Sequence, residues 1–281
     1  MTNLQKRLLT AGIAIPILVL FFWLGGIWFL ALVELVIFLG MGEFYRMVQA
    51  RQLFSQRVAG TVFALLLGVC AYLGEPIYIL SALVIFSLLI FSIQLSYQDL
   101  RLALITCAST ILGVIYVGLL LSHIILLRNW EGRSGGTDLG LFFIIYVIAI
   151  TFLSDAGAFF VGRKFGKHQM TPRISPKKSW EGAFGAVLFG VAGAILCKLI
   201  FDRRIPSAST ESFKWLHCIV LAPILVVSAI LGDLVESLFK RDAGIKDSGT
   251  IIPGHGGILD RLDSIVFTVP VAYYYLKLIA F

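Results

Sequence analysis

The sequence predicts an all-α fold: a polytopic transmembrane helical bundle of about nine membrane-spanning helices, with the N-terminus in the cytoplasm. Three observations predict it. Apolar residues make up 59% of the chain and charged residues only 14%, against about 25% charged in an ordinary soluble domain, and the mean hydropathy is +0.94. The apolar runs are continuous, without the alternation of a β-barrel, and a span needs about 20 such residues. Finally, the basic residues fall mainly on one side of the implied membrane. With so few charges, a water-soluble enzyme, a disordered chain and a secreted disulfide scaffold are excluded.

The apolar segments run over 8–25, 27–45, 58–74, 76–95, 102–127, 139–161, 181–201, 215–239 and 262–281. Turn signals such as Gly25-Gly26 and Gly74-Glu75-Pro76 separate several of them. The first, after Lys6-Arg7, has the look of a signal peptide, but a second apolar run follows at once and marks it as an uncleaved span. With the N-terminus inside, sixteen of the 23 Lys and Arg residues face the cytoplasm, including those of the two most polar loops, 163–180 and 240–261. The chain reads as a single integral membrane domain, 1–281. Residues 1–138 serve as scaffold or dimerisation helices, and 139–281 carry catalytic helices and cytoplasmic loops. Cys70, Cys107, Cys197 and Cys218 lie in apolar runs without C-x-x-C spacing and read as buried thiols.

Chemistry concentrates in the second half. Glu34 and His123 stand alone in spans and read as structural, Glu34 as a structural or protonated carboxyl. The sixth segment contains Ser154-Asp155-Ala156-Gly157, an acid among small residues. It reads equally as a helix opened for a ligand and as a span that ends at Ser154. The loop after it carries six basic residues, ending in Lys177 and Lys178, before its first acid, Glu181. That pattern serves either as an anchor for anionic headgroups or as a phosphate-binding loop. In the eighth segment Asp233, Glu236, Ser237 and Lys240 share one helix face. Two acids so close in low dielectric demand a positive neighbour, either a basic side chain or a metal ion. An ion pair to Lys240 is the plainest answer. The loop beyond holds Lys246-Asp247, the glycine-rich Pro253-Gly254-His255-Gly256-Gly257, and Asp260-Arg261-Leu262-Asp263, with Asp260 and Asp263 on one face of the last helix. Acids interleaved with bases fit a divalent cation shared between carboxylates and phosphates, and Mg²⁺ is the ion usually held that way.

The 27 residues from Ser237 to Asp263, SLFKR-x4-KD-x-G-x2-IP-x-HGGI-x-DRLD, resemble the signature of the phosphatidate cytidylyltransferase (CDP-diacylglycerol synthase) family in its bacterial form. Ser175–Gly182 and the Ser154-Asp155 region are also similar to that family. The resemblance implies CTP plus phosphatidic acid giving CDP-diacylglycerol and pyrophosphate, in phospholipid biosynthesis. It implies Mg²⁺, with a second, monovalent ion such as K⁺, at the acids matching Asp233 and Asp260, and a homodimer in the bacterial cytoplasmic (inner) membrane. Partners would be CTP, phosphatidic acid and membrane lipids, with no nucleic acid. Lys246, His255 and Asp263 match the motif and join Asp233 and Asp260 as the expected catalytic set. Lys177, Lys178, Ser237, Lys240, Arg241, Arg261, Ser154 and Asp155 are the expected substrate-binding set. The phosphate monoester of the lipid is itself the nucleophile, so no Ser or Cys is required; positioning and electrostatics carry such transfers. The rivals are a transporter for an anionic or cation-coupled solute and a CTP-dependent enzyme acting on another lipid.

Overall fold

The computed structural model describes residues 3–97, 101–130, 133–134, 137–204, 213–252, 254 and 256–281. Its helices are α1 (Asn3–Leu24), α2 (Gly26–Ala50), α3 (Arg57–Leu73), α4 (Pro76–Gln94), α5 (Ala103–Gly113), α6 (Leu120–Arg128), α7 (Leu139–Phe165), α8 (Trp180–Arg204), α9 (Trp215–Asp242) and α10 (Leu259–Tyr275). A π-helical stretch, Val114–Leu119, joins α5 to α6 without a break, and another, Leu276–Ala280, extends α10. Two antiparallel hairpins complete the described residues: β1 (Arg133–Ser134) with β2 (Thr137–Asp138), and β3 (Gln169–Thr171) with β4 (Ser175–Ser179). Each predicted apolar segment coincides with a helix. Seven are long and apolar enough to cross a membrane, while 12–24 and 57–73 are shorter apolar helices. The chain is thus an all-α polytopic membrane protein, because a backbone in lipid must satisfy its own hydrogen bonds.

The described residues divide into two compact units. Unit 1 comprises 1–129 together with 239–262, and unit 2 comprises 130–238 together with 263–281. The signature segment packs with the N-terminal helices, for identifiable reasons. Phe239 meets Phe44 and Tyr116 edge to face, and Gly40 leaves only enough room for Leu259 and Val117 beside it.

In unit 1, α2 is the central element, burying Ile37, Met41, Phe44 and Tyr45. The Tyr45 hydroxyl donates to the Thr110 carbonyl at 3.2 Å, and Gly60 supplies the space for its ring. Gly118 in the π-helical stretch lies against the Ala64 backbone, a contact that a side chain there would block. His123 bonds the Leu119 carbonyl through Nδ1 at 2.8 Å, as expected of a structural histidine. Glu34 packs on Gly68, and its oxygens have no hydrogen-bond partner among the described residues.

In unit 2, α7 and α8 run antiparallel. Gly157 approaches Gly185, and Gly162 approaches Gly182, so the two backbones meet closely. Small residues allow this in membranes, where close van der Waals packing replaces the hydrophobic drive between helices. An aromatic cluster of Phe142, Phe143, Tyr146 and Phe213 closes the far end, with the Tyr146 hydroxyl donating to the Cys218 carbonyl at 2.6 Å. All four cysteines are free; Cys70, Cys107 and Cys218 are buried and Cys197 is half-buried.

Candidate active site

Unit 2 gathers acids around one lysine. The β3–β4 hairpin has Gln169 opposite Ser179 and Thr171 opposite Ser175. Its base is pinned by Glu181, which accepts from the Lys167 and His168 backbone N–H groups and lies 2.6 Å from His168 Nδ1. This register leaves Lys177 exposed and sets Lys178 half-buried, its Nζ 2.7 Å from Asp233 Oδ2. The positive neighbour demanded by the acids of α9 is thus supplied to Asp233 by Lys178. Ser237 donates to Asp233 Oδ1 from the next turn, at 3.2 Å. Asp155 on α7 lies within electrostatic reach of Asp233, Asp263 and Lys178. Asp263 accepts from the Ser264 N–H at 2.7 Å, and its backbone carbonyl lies against Gly232. Ser154 is buried and its hydroxyl donates back to the Thr151 carbonyl. Three carboxyl groups, of Asp155, Asp233 and Asp263, thus come to the neighbourhood of Lys178.

Unit 1 gathers the signature loop around a second acid. Asp260 Oδ1 takes Lys240 Nζ at 2.7 Å. Oδ2 accepts from the Ser248 N–H at 2.9 Å and the Gly257 N–H at 2.8 Å, and the Ser248 Oγ lies 3.1 Å from it. Gly256, with φ of +89°, makes the turn that lets the loop fold back on this carboxylate. Lys240 thus reaches a partner, Asp260, that helix spacing alone does not offer. Beyond Asp260 the loop opens a cleft of about 410 Å³ lined by Lys246, Asp247, Gly249, Thr250, Ile252, Gly254, Gly256 and Arg261. Lys246 and Arg261 are exposed. Arg241 is also exposed, and it reaches the Ile245 carbonyl at 3.4 Å. His255 lies outside the described residues.

One residue escapes a reading of the sequence. Glu43, about two turns before the end of α2, is completely buried. It accepts from the Ile258 N–H at 2.9 Å, the Leu259 N–H at 3.0 Å and the Ser248 hydroxyl at 2.8 Å. In sequence it is an acid at a span end, two hundred residues from its partners, and resembles any solvated terminal carboxylate.

Among the described residues no three His, Cys, Asp or Glu side chains stand close enough to hold a metal ion by themselves. Mg²⁺ is usually held by one or two carboxylates plus substrate oxygens and water, so the fit rests on charge and ligand chemistry. The hard carboxyl oxygens of Asp233 and its neighbours Asp155 and Asp263 are of the kind it takes. Asp260 meets it less openly: its Oδ2 is saturated, and only Oδ1 keeps an acceptor site.

Residues 5–279 match a family described as the cytidylyltransferase family. A phosphatidate cytidylyltransferase of Synechocystis is 32% identical over 98% of this chain and 97% of its own length. Another, of Pseudomonas aeruginosa, is 33% identical over 95% of both chains. One from Haemophilus influenzae is 42% identical over 48% of this chain and 46% of its own. With seven long apolar helices and such bacterial relatives, the protein is a multi-pass protein of the bacterial inner membrane. A match along nearly its whole length shows that the chain belongs to the cytidylyltransferase family and is an enzyme, a nucleotidyltransferase.

Proposed function

We propose that the protein transfers CMP from CTP to phosphatidic acid, giving CDP-diacylglycerol and pyrophosphate. The observation that carries this is the unit 1 cleft, where Lys246 and Arg261 flank a glycine-lined loop folded on Asp260. Two cations beside exposed backbone suit a triphosphate.

The lipid phosphate is a monoester and, by analogy with other phosphomonoesters, is largely dianionic at neutral pH. Its oxygen attacks the α-phosphorus of CTP, the P–O bond to the β-phosphate breaks, and pyrophosphate leaves with the electron pair. No protein nucleophile enters this balance. Lys246 and Arg261 hold the polyphosphate and take up charge as it grows on the leaving group. Lys177, exposed on the β3–β4 hairpin, is the cation offered to a second phosphate. Lys178 and Lys240 pair with Asp233 and Asp260 and fix their rotamers within their own units. Mg²⁺, when bound, would draw phosphate oxygens together and neutralise their charge. Within unit 2 Asp233, and within unit 1 Asp260, are the carboxylates that would hold an ion, with a monovalent ion such as K⁺ as second occupant.

The proposal includes a cytoplasmic N-terminus and a cytoplasmic face for the loops at 163–180 and 240–261, since CTP is made in the cytosol and does not cross lipid. It also includes a homodimer, as the family resemblance implies. The test is incorporation of labelled CTP into the lipid phase by the purified protein with Mg²⁺. Label that enters only with phosphatidic acid supports the reading. Label that requires a different lipid acceptor would replace phosphatidate in it, and no incorporation with any lipid would overturn it.

A further inference from the structure

Glu43 belongs to a helix that contributes none of the groups placed at the reaction, yet it is tied to the loop that does. Its carboxylate takes two backbone N–H groups, of Ile258 and Leu259, at the start of α10. Those N–H groups have no partner within the helix, because the first turn of any helix leaves its donors unsatisfied. A local side chain normally caps them; here the cap comes from α2. A negative charge at this end also complements the helix dipole. The third bond, from the Ser248 hydroxyl at 2.8 Å, continues to Asp260 through the Ser248 backbone N–H, 2.9 Å from Asp260 Oδ2, with Ser248 Oγ itself 3.1 Å from that oxygen. The surroundings leave the carboxylate little freedom: a side-chain carbon at Gly249 or Gly257 would run into it. Between Ser248 and Leu259 lie most of the residues that line the cleft, and Arg261 follows one turn into α10.

We infer that Glu43 is a positioning residue: through Ser248 and the start of α10 it holds Asp260 and the cleft-lining loop in the geometry that receives the nucleotide. This rests on the cytidylyl-transfer reading. Glu43 touches no reacting atom in it. Its effect is to remove conformations of the loop that would otherwise have to be frozen when CTP binds.

The experiment compares wild type with Glu43→Gln, Ser248→Ala and the double variant, each purified as the full chain. It measures kcat and KM for CTP and for phosphatidic acid separately, binding of labelled CTP, thermal unfolding, and amide exchange across residues 246–261. Gln keeps the size of Glu but sets an NH₂ against backbone donors. A hydrogen bond to a charged group is worth enough to alter binding by about tenfold or more when it is lost. Glu43→Gln is therefore expected to lower kcat/KM for CTP by about tenfold or more, to leave KM for phosphatidic acid within about twofold, and to speed exchange of 246–261. Ser248→Ala should do the same, and the double variant should be no worse than the worse single one, because both break one chain of contacts. A merely structural Glu43 would lower the unfolding temperature while the folded fraction keeps wild-type kcat and KM. That result, or losses that multiply in the double variant, would overturn the proposal. If Glu43→Gln does not fold, Ser248→Ala decides: wild-type kinetics in it are equally fatal. Failure of the wild type to transfer CMP would instead condemn the assigned reaction, and CTP binding with amide exchange would still judge the clamp.

Discussion

Lys178 Nζ lies 2.7 Å from Asp233 Oδ2, so a residue of the β3–β4 hairpin neutralises an acid of α9 within unit 2. Its neighbour Lys177 points outward and is exposed. Adjacent lysines of a strand alternate in direction, and here the alternation separates two duties. Lys178 secures a carboxylate, and Lys177 is presented to solvent and headgroups.

The two lysines should therefore fail differently. Lys177→Ala is expected to raise KM for a phosphate-bearing substrate with kcat little changed. Lys178→Ala leaves Asp233 without its half-buried partner and should lower kcat by about tenfold or more. Steady-state kinetics of both variants check this. Indistinguishable profiles would show that the hairpin acts as one undifferentiated basic patch.

Asp233→Asn and Asp260→Asn should each lower turnover by about 10²-fold or more, as removal of a preorganised electrostatic group does, while membrane insertion is retained. Wild-type turnover in either variant would remove that residue from the proposed metal set.

Excess EDTA should abolish transfer, and added Mg²⁺ should restore it, with the amount of folded protein constant throughout. The carboxyl groups of Asp155, Asp233 and Asp263, gathered in one neighbourhood, motivate this. Full turnover in EDTA would sink the divalent-cation part of the proposal.

Gly185→Ala should destabilise unit 2 by about 1–3 kcal/mol, the usual cost of overpacking. The added carbon would meet Val161 and the Gly157 carbonyl across the α7–α8 contact. Thermal unfolding in detergent measures it. An unchanged midpoint would mean that the helices can separate at no cost.

The sidedness of the loops is open to thiol labelling in a background without the four native cysteines. Ser248 looks suitable from its place in a polar loop, yet it is buried between Glu43 and Asp260. Gln169 and Thr250 are exposed and replace it as probes. Impermeant reagents outside intact cells should leave Gln169→Cys and Thr250→Cys unlabelled until the membrane is opened. CTP should then shield Thr250→Cys, which lies in the cleft.

The class of fold and the places of the described apolar helices are legible in the sequence alone, because membrane burial demands long apolar runs and their ends are marked by Gly, Pro and charge. The sequence also determined the family, since the 27 residues from Ser237 to Asp263 are contiguous and carry their spacing with them. Pairings between distant residues were decided only by tertiary structure. Helix spacing cannot show that the loop brings Asp260 back to Lys240 at 2.7 Å. Nothing local distinguishes Lys177 from Lys178 until the hairpin register turns one toward Asp233. Glu43 is the clearest case. Its three donors lie more than two hundred residues away, and a buried carboxylate is recognisable only from the groups that surround it. Periodicity reports which face of a helix is apolar; it carries no record of what arrives from another part of the chain to satisfy a polar group.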